Sequence, residues 1–219
     1  MRFINKLCFS VSFLLLFFAW ITLSTCQAYK NAYSVRWVID GDTIILSNGE
    51  KVRYAGINAP EIPHEDQPGE PYGKKALRFN IKLVKGKKVI IEPAEEKRDR
   101  FGRLLAYVFL PDGTFVQEAI VSAGLAFACY TYPNVKYFDR LLAAQREAMR
   151  YKRGLWWEEN LFRGEPFYIG NKRSRRFHRQ SCGFGKRTSA RNRVIFSTMK
   201  QAFYEGYCPC KKCRPWPGP

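Results

Sequence analysis

The sequence predicts a mainly β protein with several helices, in which a five-stranded Greek-key barrel of the OB type precedes a small α+β module. Two observations support the barrel. Five short apolar or alternating runs follow one another with turn signals between them, and about three helical patterns are inserted late among these runs. A third observation predicts the module: four of the seven cysteines lie between residues 182 and 213.

The order of predicted elements follows from turn residues and apolar spacing. Asp40-Gly41-Asp42 separates the first two strands and Asn48-Gly49 precedes the third, and both sequences are typical of hairpin turns. Apolar residues spaced three or four apart, ended by Gly124 and Gly154, indicate the helices. The predicted strands are residues 34–39, 43–46, 51–57, 88–92 and 103–110, and the predicted helices are residues 73–84, 115–123 and 139–152.

The charge of the chain points to a polyanionic partner. The formal net charge is +18, which favours nucleic acid or an anionic membrane surface. Residues 168–219 hold thirteen lysines and arginines against one acid, Glu205. The only two histidines are His64 and His178, so a Ser-His-Asp hydrolase or a catalytic site with several histidines is hard to build.

Residues 1–28 are predicted to be a signal peptide. Arg2 and Lys6 precede an uncharged apolar stretch, and Cys26 and Ala28 place small residues at a cleavage point. An uncleaved signal anchor and lipidation at Cys26 are the two alternatives, and they are the only routes to a membrane that we expect. All three place the rest of the chain outside the cytoplasm, either secreted or in the periplasm or cell envelope. The predicted domains are residues 29–165 and 166–219.

Oxygen-bearing groups lie at the ends of the second and third predicted strands. Asp42 follows the first turn, and Asn58, Ala59 and Glu61 follow the third strand around Pro60. Proline restricts this loop, so the carbonyl of Ala59 is free to point away from a strand ladder. If the two loops meet at one end of the barrel, oxygen ligands converge without nitrogen or sulfur, as Ca²⁺ prefers.

Two arginines on nearby strands, Arg53 and Arg103, complete this predicted site. The guanidinium group presents forked donors that match phosphate oxygens. A carboxylate that acts on water, together with cations that stabilise the charge developing on phosphorus, is what phosphodiester hydrolysis requires. Each residue alone is an ordinary turn, loop or strand residue, so the hypothesis depends on their joint arrangement.

Three separated segments resemble the staphylococcal nuclease-like (thermonuclease) family in order and spacing. They are VIDGDT at residues 38–43, RYAGINAPE at residues 53–61 and DRFGRLLAY at residues 99–107. The resemblance covers about residues 32–160. It implies an OB barrel and a Ca²⁺-dependent endonuclease that acts on DNA and RNA, with the 5′ oxygen leaving to give 3′-phosphate ends.

The resemblance also implies a role for each matched residue. Asp42 matches the first metal-binding carboxylate, and the carbonyl of Ala59 matches a backbone ligand. Glu61 matches the glutamate that deprotonates or orients the attacking water, and it is counted with the calcium ligands. Arg53 and Arg103 match the two phosphate-binding arginines, which with Glu61 form the predicted catalytic set.

The substrate-binding residues and two departures follow from the same comparison. Tyr130 and Tyr132 match tyrosines that line the nucleotide pocket, although packing against the barrel is an equal alternative, and Arg100 is predicted to bind substrate with them. Asn58 stands where an aspartate binds the metal, so one negative charge is lost and weaker Ca²⁺ binding is expected. Phe101 replaces a tyrosine near the phosphate.

The C-terminal segment has paired ligands at short spacing. His178 and Cys182, with Cys210 and Cys213, form the set expected of a structural zinc site, and Cys208 is left over. This segment resembles the metal-binding domain of the Ada DNA-repair protein, in which the first ligand is a cysteine. Disulfides among the four cysteines are the competing prediction, because the expected compartment is oxidising.

Nucleic acid is therefore the expected partner, and no obligate protein partner is implied. The main prediction is a nuclease with an appended basic zinc module. The first alternative is a non-catalytic nucleic-acid-binding protein of the same architecture, against which the joint presence of Asp42, Glu61 and the two arginines argues. The second alternative is a membrane-attached structural protein.

Overall fold

The computed structural model describes residues 32–65 and 68–217. This part of the chain contains eleven strands and five α-helices. The strands are β1 (Ala32–Val38), β2 (Thr43–Leu46), β3 (Lys51–Tyr54), β4 (Ile57–Asn58), β5 (Lys88–Arg98), β6 (Leu104–Phe109), β7 (Phe127–Ala128), β8 (Tyr168–Asn171), β9 (Arg176–His178), β10 (Arg193–Phe196) and β11 (Cys208–Pro209). The helices are α1 (Gly73–Val84), α2 (Val116–Ser122), α3 (Phe138–Arg150), α4 (Gly183–Lys186) and α5 (Met199–Tyr204).

The predicted five-stranded barrel is confirmed. It closes in the order β1-β2-β3-β6-β5. β3 and β6 pair in parallel, and the other neighbours pair antiparallel. The three predicted helices are α1, α2 and α3, and α1 has the predicted bounds. The apolar side chains of the barrel form a buried cluster that includes Ile44, Val52 and Val108.

Two strands differ from the prediction. The third ends at Tyr54, because Gly56 adopts φ +80° and turns the chain out of the barrel. Ile57 and Asn58 then pair antiparallel with β7. The fourth strand continues from its predicted end at residue 92 to Arg98. It pairs with β6 at Pro93 and again at Arg98, with a register irregularity between them, along a mostly charged, exposed run in which apolar alternation is absent.

The C-terminal module is an α+β unit, as predicted. Its four-stranded sheet has the order β10-β8-β9-β11, and β11 pairs in parallel with β9. No helix within the described residues has the length and apolar composition to cross a membrane. The predicted signal peptide, with Cys26, lies outside the described residues.

A second, largely aromatic core joins the module to the barrel part. It contains Phe127 and Trp156 from the first 165 residues together with Phe177 and Phe203 from the module. The rings of Phe127 and Phe203 stack with their centroids 4.4 Å apart. The buried amide of Gln145 accepts from the backbone of β7 at 2.8 Å and donates to the carbonyl of Phe203 at 2.6 Å. The module is therefore packed against the barrel part through a continuous core.

Candidate active site and metal centre

The loop between β1 and β2 places a buried carboxylate at one end of the barrel. Asp42 is 5% exposed, and its backbone N–H donates to Asp40 Oδ1 at 2.8 Å. A Cβ atom on Gly41 would lie 2.6 Å from the Cβ of Ala59 and 2.7 Å from that of Ala76. Glycine is required here because the loop passes closely over the Ala59 segment and α1, which brings the two predicted ligand loops together.

The Asp42 carboxylate lies at the centre of a compact network. Its Oδ2 atom accepts from the backbone N–H of Ala59 at 2.6 Å and lies 3.0 Å from Arg53 Nη1. Arg53 Nη2 donates to Asn58 Oδ1 at 3.1 Å. Burial raises the pKa of Asp42 to about 7, although Arg53 opposes this shift. Burial and the neighbouring Asp40 carboxylate therefore outweigh the charge of Arg53 at this position.

Replacing Asp42 with asparagine is expected to stabilise the protein above pH 7 in a chelator. The raised pKa means that the native state holds the proton more tightly than the unfolded state, so stability falls as pH rises from about 4 to 7. A shift from 3.8 to about 7 corresponds to at most about 4 kcal/mol. The expected gain in the free energy of unfolding near pH 8 is about 1–3 kcal/mol. It is smaller than this limit because the substitution also removes the charged partner of Arg53.

Urea unfolding of both proteins near pH 5 and near pH 8 measures this effect. The control is Asp112→Asn, because backbone donation from Thr114 lowers the pKa of that exposed aspartate, so it is ionised near pH 5 and near pH 8 and its substitution should change stability equally at both. A gain for Asp42→Asn that is no larger near pH 8 than near pH 5 would contradict the prediction.

Glu61 lies on the loop that follows β4. Its backbone N–H donates to Glu70 Oε2 at 3.0 Å, and its carbonyl accepts from the Glu70 N–H at 2.8 Å. Its own carboxylate is exposed and faces a cavity of about 170 Å³ that Asn58 also lines. We call this space the glutamate cavity. The double contact with Glu70 fixes the loop while leaving the Glu61 carboxylate accessible to water.

Arg103 lies directly before β6, at the end of the turn that joins β5 to β6. Its Nε and Nη2 atoms contact Asp99 Oδ2 at 2.8 and 2.7 Å, which orients the guanidinium group. Arg53 and Arg103 line one cavity of about 330 Å³, together with Arg100 and Phe101. We call this space the arginine cavity. The structure thus brings the two predicted phosphate-binding arginines to one opening.

The two predicted tyrosines have different surroundings. Tyr130 packs edge-on against Phe138 with ring centroids 5.2 Å apart, and Tyr132 is 78% exposed. Thr131, between them, lines the arginine cavity. Phe101 is also exposed, and the guanidinium carbon of Arg100 lies 4.6 Å from its ring centre. Substrate binding by Tyr130, Tyr132 and Arg100 stays a prediction.

Two residues of the module were not predicted as site residues. Arg176 and Lys211 line both the arginine cavity and the glutamate cavity. Lys211 is exposed, yet desolvation lowers the pKa of its ammonium group, and the nearby charges of Arg53, Arg176 and Arg103 lower it further. The sequence offered one indication that these two residues have fixed positions. Both lie within two residues of a predicted zinc ligand, and zinc would hold the two segments in place.

The four predicted zinc ligands come together. The ligand atoms of His178, Cys182, Cys210 and Cys213 all lie within 4.8 Å of one another. Burial, and then Arg176, lower the pKa of His178 and so favour the neutral imidazole that binds metals. One imidazole and three thiols are a donor set that suits tetrahedral zinc. This group therefore fits a structural zinc ion.

The left-over cysteine has a partner that neither sequence-based prediction contained. Cys208 forms a disulfide with Cys129, with the two Cα atoms 5.4 Å apart. The prediction that disulfides pair Cys208 with another module cysteine is therefore wrong, and Cys182, Cys210 and Cys213 are free thiols. The partners lie 79 residues apart, so no local spacing could identify the pair.

Comparison with known proteins supports both halves of this description. The family profile described as "Staphylococcal nuclease homologue" matches residues 51–158, and "Metal binding domain of Ada" matches residues 158–215. The chain is 38% identical to the thermonuclease of Staphylococcus hyicus over 133 residues, which is 59% of this chain and 78% of that protein. It is 38% identical to the thermonuclease of Staphylococcus intermedius over 136 residues, 61% of this chain and 80% of the relative. It is 42% identical to endonuclease YncB of Bacillus subtilis (strain 168) over 123 residues, 54% and 58% of the two chains.

Proposed function

The chain belongs to the staphylococcal nuclease homologue family, and we propose that it is a Ca²⁺-dependent endonuclease that hydrolyses phosphodiester bonds of DNA and RNA. The observation that carries this proposal is the convergence of Arg53 and Arg103 on one cavity, beside the oxygen groups of Asp42, Asn58 and Glu61. A protein that only binds nucleic acid has no need of carboxylates facing the phosphate, since they would repel it.

The residues of this site divide the proposed reaction between them. Glu61 orients the attacking water and accepts its proton, as its exposed carboxylate allows. Arg53 and Arg103 donate to the non-bridging phosphate oxygens, on which negative charge grows in the transition state. The bond from water oxygen to phosphorus forms as the bond to the 5′ oxygen breaks. The departing oxygen takes a proton from solvent, leaving a 3′-phosphate and a 5′-hydroxyl end.

The oxygen groups at the barrel end fit a calcium ion by their chemistry. The Asp42 carboxylate, the Asn58 amide oxygen, the Ala59 carbonyl and the Glu61 carboxylate would hold it. Bound Ca²⁺ supplies positive charge that stabilises the phosphate in its transition state. Supporting this assignment, the Asp42 carboxylate is buried, accepts from the Ala59 N–H and lies in the same network as the Asn58 amide oxygen.

Replacing Asn58 with aspartate is expected to lower the calcium concentration for half-maximal cleavage by about tenfold, because the site gains one negative charge. A calcium titration of cleavage rate in both proteins checks this expectation. Asn48→Asp is the matched control, because Asn48 lies in an exposed turn and its side chain accepts only from Glu50 N–H among the described residues. Half-saturation that is unchanged in Asn58→Asp would refute it.

The proposed location is outside the cytoplasm, secreted or in the cell envelope. The predicted signal peptide of residues 1–28 supports this, and so does the Cys129–Cys208 disulfide, because disulfides persist in oxidising compartments. The proposed domains are the barrel at residues 29–165 and the basic module at residues 166–219. Within the module, His178, Cys182, Cys210 and Cys213 are proposed to hold a structural zinc ion.

The experiment that tests the proposal is cleavage of single-stranded DNA and of RNA by the purified protein, with Ca²⁺ and with a calcium chelator. Cleavage only with Ca²⁺, giving products that a 3′-phosphatase modifies, is the expected result. Tight binding without cleavage in either condition would instead identify a non-catalytic binding protein. Cleavage that is equal in both conditions would remove calcium from the proposal.

A further inference from the structure

We propose that the C-terminal module contributes two phosphate-binding residues, Arg176 and Lys211, to the active site, so that nucleic-acid phosphates are bound between the barrel and the module. This inference rests on the proposed function, because it concerns the same cavities. The barrel alone would then hold only part of the substrate-binding surface.

The position of the two side chains is the first support. Arg176 and Lys211 line the arginine cavity together with Arg53 and Arg103, and they also line the glutamate cavity together with Glu61. They therefore lie where both cavities meet. A phosphate bound by Arg53 and Arg103 would therefore lie in the same cavity as Arg176 and Lys211. These two residues could bind that phosphate or the next one along the nucleic-acid strand.

The pairing of the cations is the second support. Arg53 forms an ion pair with Asp42, and Arg103 forms one with Asp99. Within residues 32–65 and 68–217, the side chains of Arg176 and Lys211 form neither an ion pair nor a hydrogen bond, although both lie within electrostatic range of Arg53. The carboxylate of Asp42, which acts on Lys211, already pairs with Arg53, so the neighbouring cations repel one another and an anion between them is stabilised.

The attachment of the module keeps these residues in place. Cys129 directly follows β7, and β7 pairs with β4, the strand that carries Asn58. The backbone N–H of Cys129 donates to the carbonyl of Gly56 at 2.8 Å. Its disulfide partner, Cys208, lies opposite Arg176 in the parallel pair of β11 and β9. Lys211 directly follows the zinc ligand Cys210. The disulfide and the four proposed zinc ligands thus fix both cations relative to the segment of Asn58 and Ala59.

Two other roles must be separated from this one. The module carries many basic residues, and a general attraction for nucleic acid would involve all of them equally. Arg176 also lies near Cys210, so it could balance the charge of the zinc thiolates instead of binding substrate. The first role predicts equal effects of all basic substitutions, and the second predicts loss of zinc when Arg176 is replaced.

The test compares Lys211→Ala and Arg176→Ala with Lys212→Ala and Arg173→Ala in the full chain. Lys212 and Arg173 are exposed neighbours that line neither cavity. We expect kcat/KM for a short DNA oligonucleotide to fall about tenfold or more in the first pair and less than about twofold in the second. The difference should persist at about 0.5 M salt, which screens long-range attraction more than direct contacts with phosphate, and Lys211→Arg should retain most activity.

Zinc content, melting temperature and oligonucleotide affinity in chelator are measured for every variant. If the wild type cleaves and all four alanine variants cleave at equal rates, this inference is overturned and the proposed function stays intact. Loss of zinc in Arg176→Ala overturns the role of that residue. If the wild type does not cleave, the proposed function fails, and the inference is then decided by affinity: weaker binding only in Lys211→Ala and Arg176→Ala supports it, and equal binding overturns it.

Discussion

Replacing Glu61 with glutamine is expected to lower kcat by about 10²–10⁴-fold, the range that a general base contributes. Glutamine has nearly the same size but accepts no proton at neutral pH. The exposed Glu61 side chain makes no hydrogen bond to the described part of the protein, so the substitution removes no folded-state contact. The backbone contacts between residue 61 and Glu70 remain, which keeps the loop in position.

The measurement is single-turnover cleavage at saturating calcium, with oligonucleotide affinity determined separately. Glu65→Gln is the matched control, because Glu65 is exposed in the same loop and lines neither cavity. We expect the control to cleave within about twofold of the wild type, and we expect Glu61→Gln to bind the oligonucleotide no more weakly. A Glu61→Gln protein that cleaves like the control would show that another group accepts the proton.

Replacing Cys182 with serine is expected to abolish zinc binding and to unfold much of the module. Elemental analysis should find about one zinc per wild-type chain and almost none in the variant. The four ligands join the end of β9, the start of α4 and the turn after β11, which are short elements with little core of their own. Structural zinc contributes folding free energy directly, so we expect the module to lose several kcal/mol of stability.

Limited proteolysis and thermal unfolding measure that loss. Cleavage should begin within residues 166–217, while the disulfide at Cys208 still ties the fragments to the barrel. Ser181→Ala is the control, because Ser181 is exposed beside Cys182 and is not a ligand. A wild-type protein without zinc, whose thiols at residues 182, 210 and 213 do not react when it is unfolded, would refute the zinc site.

The barrel and its ligand loops follow from local features of the sequence. Helix α1 has the predicted bounds because its apolar positions repeat with the helical period over twelve residues. Asp42, Arg53 and Glu61 were assigned because three motifs occur in the family order, and the structure brings Asp42 and Arg53 into contact. Each of these inferences uses residues that are close in the chain, or a pattern that other chains share.

The sequence by itself predicted the barrel, the helices α1 to α3, and the residues proposed as catalytic groups and as zinc ligands. Only the tertiary structure decided that β4 leaves the barrel, that Cys208 pairs with Cys129, and that Arg176 and Lys211 line the arginine and glutamate cavities. Periodicity and spacing act over a few residues, whereas these contacts join residues that lie between 71 (Ile57 and Ala128) and 158 (Arg53 and Lys211) positions apart. Such contacts form only because the shared aromatic core sets the module against the barrel, and no single motif encodes that packing.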